Sequence, residues 1–372
     1  MTETVTRWIS QHAHGLTTLD PTAPLTDLRP LADVVGDARV VALGTAIRQA
    51  HEPSALAHRL ARYLVEDLGF RTIALEGDDA ARVGLDTYVA TGAGDPARLL
   101  AEARAFWQTG EILDLVRWMR AFNRQHPSDP VRFAGVPGVN GAGEPVGPGE
   151  VGKPSGPGAA PGPAGPDGPA GVTGSGGAPG PAGPGGAPGS AAAGPGGLAG
   201  LAGIERELAA HTIRWHEHTG DRIVYWGGLA HTAVGDPRSV SPASPPQIHR
   251  NAGGYLREHF GAGYVSLGLT FHHGRAPYPI PTPPAEFAEA TLGTAGPDAY
   301  LLDLRAPDAP APVRAWLATP TRTRLVGPFY DPQHDADHHL SGGSLTDWFD
   351  AVVHLREITP GHPLPERTDT PA

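Results

Sequence analysis

The stretch from residue 39 to 77, RVVALGTAIRQAHEPSALAHRLARYLVEDLGFRTIALEG, constrains the fold more than any other part of this 372-residue chain. Residues 40–43 and 72–75 are apolar runs of strand length. Between them Leu56, Leu60, Tyr63 and Leu64 recur at helical spacing. Pro53 stands where a first helical turn tolerates proline, and Gly69 closes the helix before Phe70. Two buried strands joined by one helix make a βαβ unit, and in such units ligands sit beyond the carboxyl end of a strand. The loop after the first strand carries Thr45, Arg48, His51 and Glu52, and the second strand ends in Glu76.

The same alternation continues along the chain. Apolar periodicity predicts helices over 111–122 and 201–218, and strands over 131–136, 222–226, 264–270, 300–304 and 351–355. Alternating strands and helices imply an α/β fold with a layered, largely parallel sheet flanked by helices. Its active face should lie at the carboxyl ends of the first, second and fourth strands, where residues 45–52, Glu76 and 227–231 collect. Residues 138–200 break the pattern. They are rich in Gly and Pro, and from Gly162 to Gly189 a glycine falls at every third position. That is the collagen rule, but about ten triplets make a marginal triple helix, and the reading is a disordered collagen-like insert. Residues 1–137 and 201–360 are then two parts of one domain, and 361–372 a tail.

Composition removes several chemistries. There are 39 acidic against 28 basic residues, a net charge of −11, which opposes nucleic acid or an anionic membrane as partner. Without cysteine there is no thiol nucleophile, disulfide or thiolate metal site. Lys153 is the only lysine and lies in the insert, so Schiff-base chemistry and a P-loop lysine have no candidate. No run reaches membrane-spanning length and no secretory leader pattern opens the chain, which reads as cytoplasmic. Arginine in place of lysine, with abundant Ala, Gly and Pro, is the usage of a high-GC genome such as an actinobacterial one.

Several segments resemble the erythromycin esterase family. Leu43-Gly44 matches the start of its Leu-Gly-Glu-x-x-His signature. Glu52, the helix RLARYLVEDLGFR and Ala74-Leu75-Glu76 follow in the family's order. Residues 226–231 resemble its Trp-Ala-His-Asn-x-His segment, residues 251–256 its Asn-Met-Gly-x-x-Leu helix, and DWFDAVVHLREITP its closing strand. The resemblance implies the family's fold, a metal- and cofactor-free hydrolytic site, and a small-molecule ester or lactone substrate. It also exposes departures. Thr45 stands at the signature Glu, Arg48 at the signature His, Gly228 at the first His of the second segment, and Gly135-Val136-Pro137 at a Gly-x-Asp. Arginine stays protonated and cannot replace a base.

His231, which survives from the second segment, is the first candidate for proton transfer. His51 is a second, with Glu52 and Glu76 as candidate orienting carboxylates of the same site. Arg48, Thr45, Trp226 and Gly228 are candidates for contact with substrate, Arg48 either through an anionic group or as an ion pair that fills the vacated space. The histidine clusters at 216–218, 272–273 and 334–339 lack metal-ligand spacing, the last because Asp335, Gly342 and Gly343 suggest a loop. No metal is expected. Three functions stay open: a divergent ester or lactone hydrolase, an inactive relative that binds a small molecule, and a proton-transfer enzyme for cyclisation, elimination or isomerisation in secondary metabolism.

Overall fold

A computed structural model describes residues 2–134, 197–235, 238–240, 247–327 and 330–365. The βαβ unit is there: β1 (Val40–Thr45), α1 (His51–Glu66) and β2 (Thr72–Leu75). Every residue of both strands is buried, which is why each reads as a continuous apolar run and not as an alternation. Next come α2 (Gly110–Gln125), opened by the Thr109 side chain accepting from the Ile112 amide, and the short β3 (Arg132–Phe133). Later in the chain follow α3 (Gly197–Thr219), β4 (Ile223–Gly228), the single turn α4 (Leu229–Thr232), and α5 (Ala252–Phe260), capped by the Asn251 side chain. The core closes with β5 (Tyr264–Arg275), β6 (Ala299–Asp303) and β7 (Ala351–Ile358).

The main sheet runs β6, β7, β5, β1, β4, β2, β3, with His14–Gly15 outside β6 and Pro279–Ile280 beside the end of β5. From β7 to β3 every neighbour is parallel. Because β4 lies between β1 and β2, the carboxyl ends of the expected three strands meet. Helix α5 crosses the end of α4 so closely that a Cβ on Gly253 would lie 2.2 Å from the Thr232 carbonyl oxygen; only bare backbone fits.

Three features depart from the sequence reading. The sheet carries an antiparallel edge, β6 against β7 and His14–Gly15 against β6. A separate four-stranded antiparallel sheet joins Thr321–Arg324, His339–Gly343, Arg238–Val240 and Gln247–His249. The 339–343 stretch read as loop is therefore a strand. Helix α3 starts at Gly197, slightly inside the stretch read as insert; the rest of that insert and the end of the tail lie outside the described residues. Among the described residues no helix is long and apolar enough to cross a membrane.

Candidate functional site

The site begins with a backbone hydrogen bond. The Glu76 amide donates to the Trp226 carbonyl at 2.9 Å, extending the β2–β4 ladder one residue past β2. This carries the Glu76 carboxylate over the end of β4, where Oε2 accepts the Gly228 amide at 2.8 Å and a guanidinium N–H of Arg48. His231, in the turn α4, brings Nε2 to 3.4 Å from Glu76 Oε1. Its other nitrogen, Nδ1, lies 2.7 Å from Oε1 of Glu205 on α3. Glu205 Oε2 in turn accepts the Ala252 amide at 2.8 Å, at the start of α5, and Asn251 Nδ2 donates to the His231 carbonyl at 2.9 Å. One imidazole is thus held between two carboxylates by contacts from α3, α4, α5 and the end of β2. The His231 side chain keeps 25% of its surface exposed, against 6% for Glu76 and 3% for Glu205.

These neighbours set the charges. Burial alone would raise the Glu76 pKa, but the charges of His231 and Arg48 and the Gly228 amide hold it below the usual carboxylate value. Burial also works against ionised Glu205, yet His231, by charge and hydrogen bond, and the Ala252 amide bring it to about 2. For His231 burial would lower the pKa, and the two carboxylates outweigh it, so the ring titrates above its ordinary 6.5. The ring therefore holds its proton to higher pH than a free imidazole. At 3.4 Å the Nε2–Glu76 contact is too long for a strong hydrogen bond. That nitrogen remains the one able to exchange a proton with a ligand, while Glu205 fixes Nδ1.

Arg48 is an ion pair. It bonds Glu76 and stacks its guanidinium 4.2 Å from the centroid of Phe106 and 5.6 Å from that of Trp107. Arg104 covers Phe106 as well, at 4.8 Å, and bonds the Glu76 carbonyl. A Cβ on Gly228 would stand 2.6 Å from Arg48 Nη2. Arginine at residue 48 and glycine at 228 are therefore complementary: the large side chain occupies room that any side chain at 228 would take.

The other candidates are placed elsewhere. Thr45 is buried and donates its hydroxyl to the Gly227 carbonyl at 3.3 Å, a strand-to-strand tie. Trp226 is packed in the core, edge-on to Trp107 with ring centroids 6.3 Å apart. The Glu52 carboxylate binds the amide and hydroxyl of Thr359 at 2.6 and 2.7 Å. His51 bonds Glu111 through Nδ1 at 2.8 Å. Neither Glu52 nor His51 makes a hydrogen bond or ion pair with Glu76, Arg48 or His231, so the expected joint site of all four residues is not the observed grouping. Glu205 was missed, although a signal existed: with Leu208, Ala209 and Thr212 it sits at i, i+3, i+4 and i+7, an acidic residue within the inward stripe of α3.

A family described as erythromycin esterase matches residues 65–139 and 199–358. The chain belongs to the erythromycin esterase family. The match takes in Glu76, Glu205 and His231 but begins beyond Thr45 and Arg48, the two positions where the signature is lost. A curated member, erythromycin esterase type II of Escherichia coli, is 31% identical over 110 residues, which are 30% of this chain and only 26% of that protein's length. Among solved structures, a succinoglycan biosynthesis protein aligns with TM-score 0.70 at 18% identity, over 97% of this chain and 98% of its own. A Bacillus cereus protein aligns with TM-score 0.67 at 19% identity, over 98% and 100%. A mutant erythromycin esterase in its open conformation aligns with TM-score 0.58 at 14% identity, over 94% and 98%. At these identities the three establish a shared fold. The mostly parallel sheet with flanking helices is that of the erythromycin esterase family.

Proposed function

We propose that this family member hydrolyses an ester or lactone of a small natural product, with His231 as the proton-transfer residue. The observation that carries the reading is the Glu205–His231 pair, with the remaining ring nitrogen beside Glu76 at the meeting point of three strand ends. Neutral His231 takes a proton from water at Nε2 while Glu205 holds Nδ1–H. The hydroxide adds to the carbonyl carbon, the ester C–O bond breaks, and the imidazolium returns its proton to the leaving alkoxide. Water and ester give acid and alcohol. Arg48, 17% exposed and fixed on Glu76, supplies positive charge beside the developing oxyanion.

A second reading is favoured by that same Arg48–Glu76 pair. An arginine in place of the family's signature histidine, locked onto the cleft carboxylate, suits a protein that binds a small molecule without turning it over. Incubating the whole chain at pH 8.5 with a panel of lactones and alkyl and aryl esters in H2(18)O separates the readings. Hydrolysis puts one 18O into the acid product. Saturable binding without product would replace the hydrolase with the binding protein, and a product isomeric with its substrate would indicate non-hydrolytic proton transfer. Erythromycin itself is expected to survive, since Thr45 and Arg48 supply neither the carboxylate nor the base of the family signature.

A further inference from the structure

His51 and Glu52, adjacent in sequence, take part in two separate clusters, and the His51 cluster has the chemistry of a metal site. His51 opens α1 and Glu111 lies in the first turn of α2. His362 comes from the segment after β7, 251 residues beyond Glu111. His51 Nδ1 is 2.8 Å and His362 Nδ1 3.1 Å from the same oxygen, Glu111 Oε1. The three donor atoms lie within 4.8 Å of one another, and the two imidazole centroids are 4.5 Å apart at 48°.

Hydrogen bonding alone accounts for this poorly. Glu111 Oε1 also accepts the His362 amide at 3.0 Å, a bond shared with Oε2 at 3.3 Å, and the His362 ring nitrogen stands 3.1 Å from the same oxygen as an ion-pair contact. The His51 ring and the His362 amide already engage the two in-plane lone pairs of that oxygen, so the His362 ring nitrogen sits close to it without a hydrogen bond there. Two neutral imidazoles and a carboxylate gathered around a single cation resolve the excess, because the Nδ1 lone pairs then become donors to the metal.

The site is built without the ion. The Gly361 amide donates to the Gln49 carbonyl at 2.9 Å and the Gly110 amide to the His362 carbonyl at 2.7 Å. The His51 amide donates to the Thr359 carbonyl at 2.9 Å, and Glu52 grips Thr359. The backbone around all three ligands is therefore fixed by bonds that do not involve their side chains, and a metal would not have to order the segment.

We propose that His51, Glu111 and His362 form a binding site for a divalent transition metal of the zinc class. Two imidazoles and one carboxylate are a common zinc donor set, leaving a fourth position for water. With Glu111 4% and His362 68% exposed, the site has a buried anionic floor and an open rim. The reading is independent of the hydrolase proposal, since none of its ligands contacts Glu76 or His231.

The test is zinc binding by the whole chain, first stripped with a chelator and dialysed. Competition with a chromophoric chelator should show one tight equivalent of Zn2+, and Co2+ in its place should give the visible bands of a low-coordinate N/O site. His362→Ala is the decisive variant: its side chain is exposed and its backbone bonds survive, so it should fold normally and lose that equivalent. Glu111→Gln should lose it too. Absence of tight zinc in the wild-type chain, or the same equivalent retained in both His362→Ala and His51→Ala, overturns the proposal.

Discussion

Replacing His231 with glutamine is expected to lower hydrolytic turnover by roughly a hundredfold or more while leaving most of the folded stability in place. Glutamine can still donate to Glu205, as Nδ1–H does now across 2.7 Å, but it cannot take up and release a proton. His231→Ala should lose activity as completely and also cost stability. It strips Glu205 of its imidazole and leaves a carboxylate that is 3% exposed with the Ala252 amide and a more distant contact, His249 Nε2 at 3.7 Å. Removing one partner of a buried charged pair costs about 3–5 kcal/mol; partial exposure of the ring places the effect at the low end. The two variants together separate the roles. If His231 were only a structural strut, activity would follow folded fraction, and the glutamine variant, with its retained donor, would keep most of it. Steady-state kinetics beside melting curves decide the matter.

The protein is also expected to lose much of its stability between pH 6.5 and 5. His58 and His354 are buried, and each has its pKa lowered to about 3, chiefly by burial. The nearby charge of Arg62 adds to this for His58, and His272 and Arg356 do so for His354. In the unfolded chain both titrate near 6.5. Their stabilising contribution is therefore complete above pH 6.5 and is lost as pH falls towards 3, because the unfolded state takes up protons that the folded state refuses. Each contributes a slope of about 1.4 kcal/mol per pH unit well inside that window, so the pair removes roughly 3–4 kcal/mol by pH 5, against a typical total of about 5–15 kcal/mol. His231 does not offset this, since its raised pKa only withdraws stability as pH rises through it, and the loss from Glu205 comes later, between 4.5 and about 2. Among the described residues neither ring nitrogen of His58 has a hydrogen-bond partner. His58→Leu should then break no bond and should flatten the pH dependence by one proton. Melting temperatures equal at pH 7.5 and 5, or an unchanged slope in His58→Leu, would show that these rings are solvated or paired.

The parts of this molecule that could be read from its sequence are those whose signal is local. β1, α1 and β2 fall where two apolar runs and a helical stripe put them. The meeting of Glu76 with His231 follows from strand ends that a parallel sheet places side by side. Arg48 filling space beside Glu76 was one of two readings left open, and the ion pair is the one observed. What was not legible depends on distance along the chain. Glu52 is separated from Thr359 by 307 residues and Glu111 from His362 by 251, and no periodicity encodes such pairings. Glu205 lies in a helix that the periodicity predicts, but one acidic residue in an inward stripe does not say that its partner is a histidine 26 residues further on. The second sheet was missed for a different reason: strands such as TRTR and HLSGG, four and five residues long, carry almost no apolar alternation and are stabilised by what they pair with.

The central claim is that a proton moves through His231 under the control of Glu205, and the pH dependence of kcat/KM for the best ester of the panel tests it most directly. Activity should rise along a single limb whose midpoint lies above 6.5, because the base is an imidazole whose pKa two carboxylates hold up. In Glu205→Gln, which removes one of those charges but keeps an oxygen for the Ala252 amide, the midpoint should move to lower pH and the plateau should fall. A rate independent of pH across this range, or a limb that Glu205→Gln leaves where it was, would contradict the account.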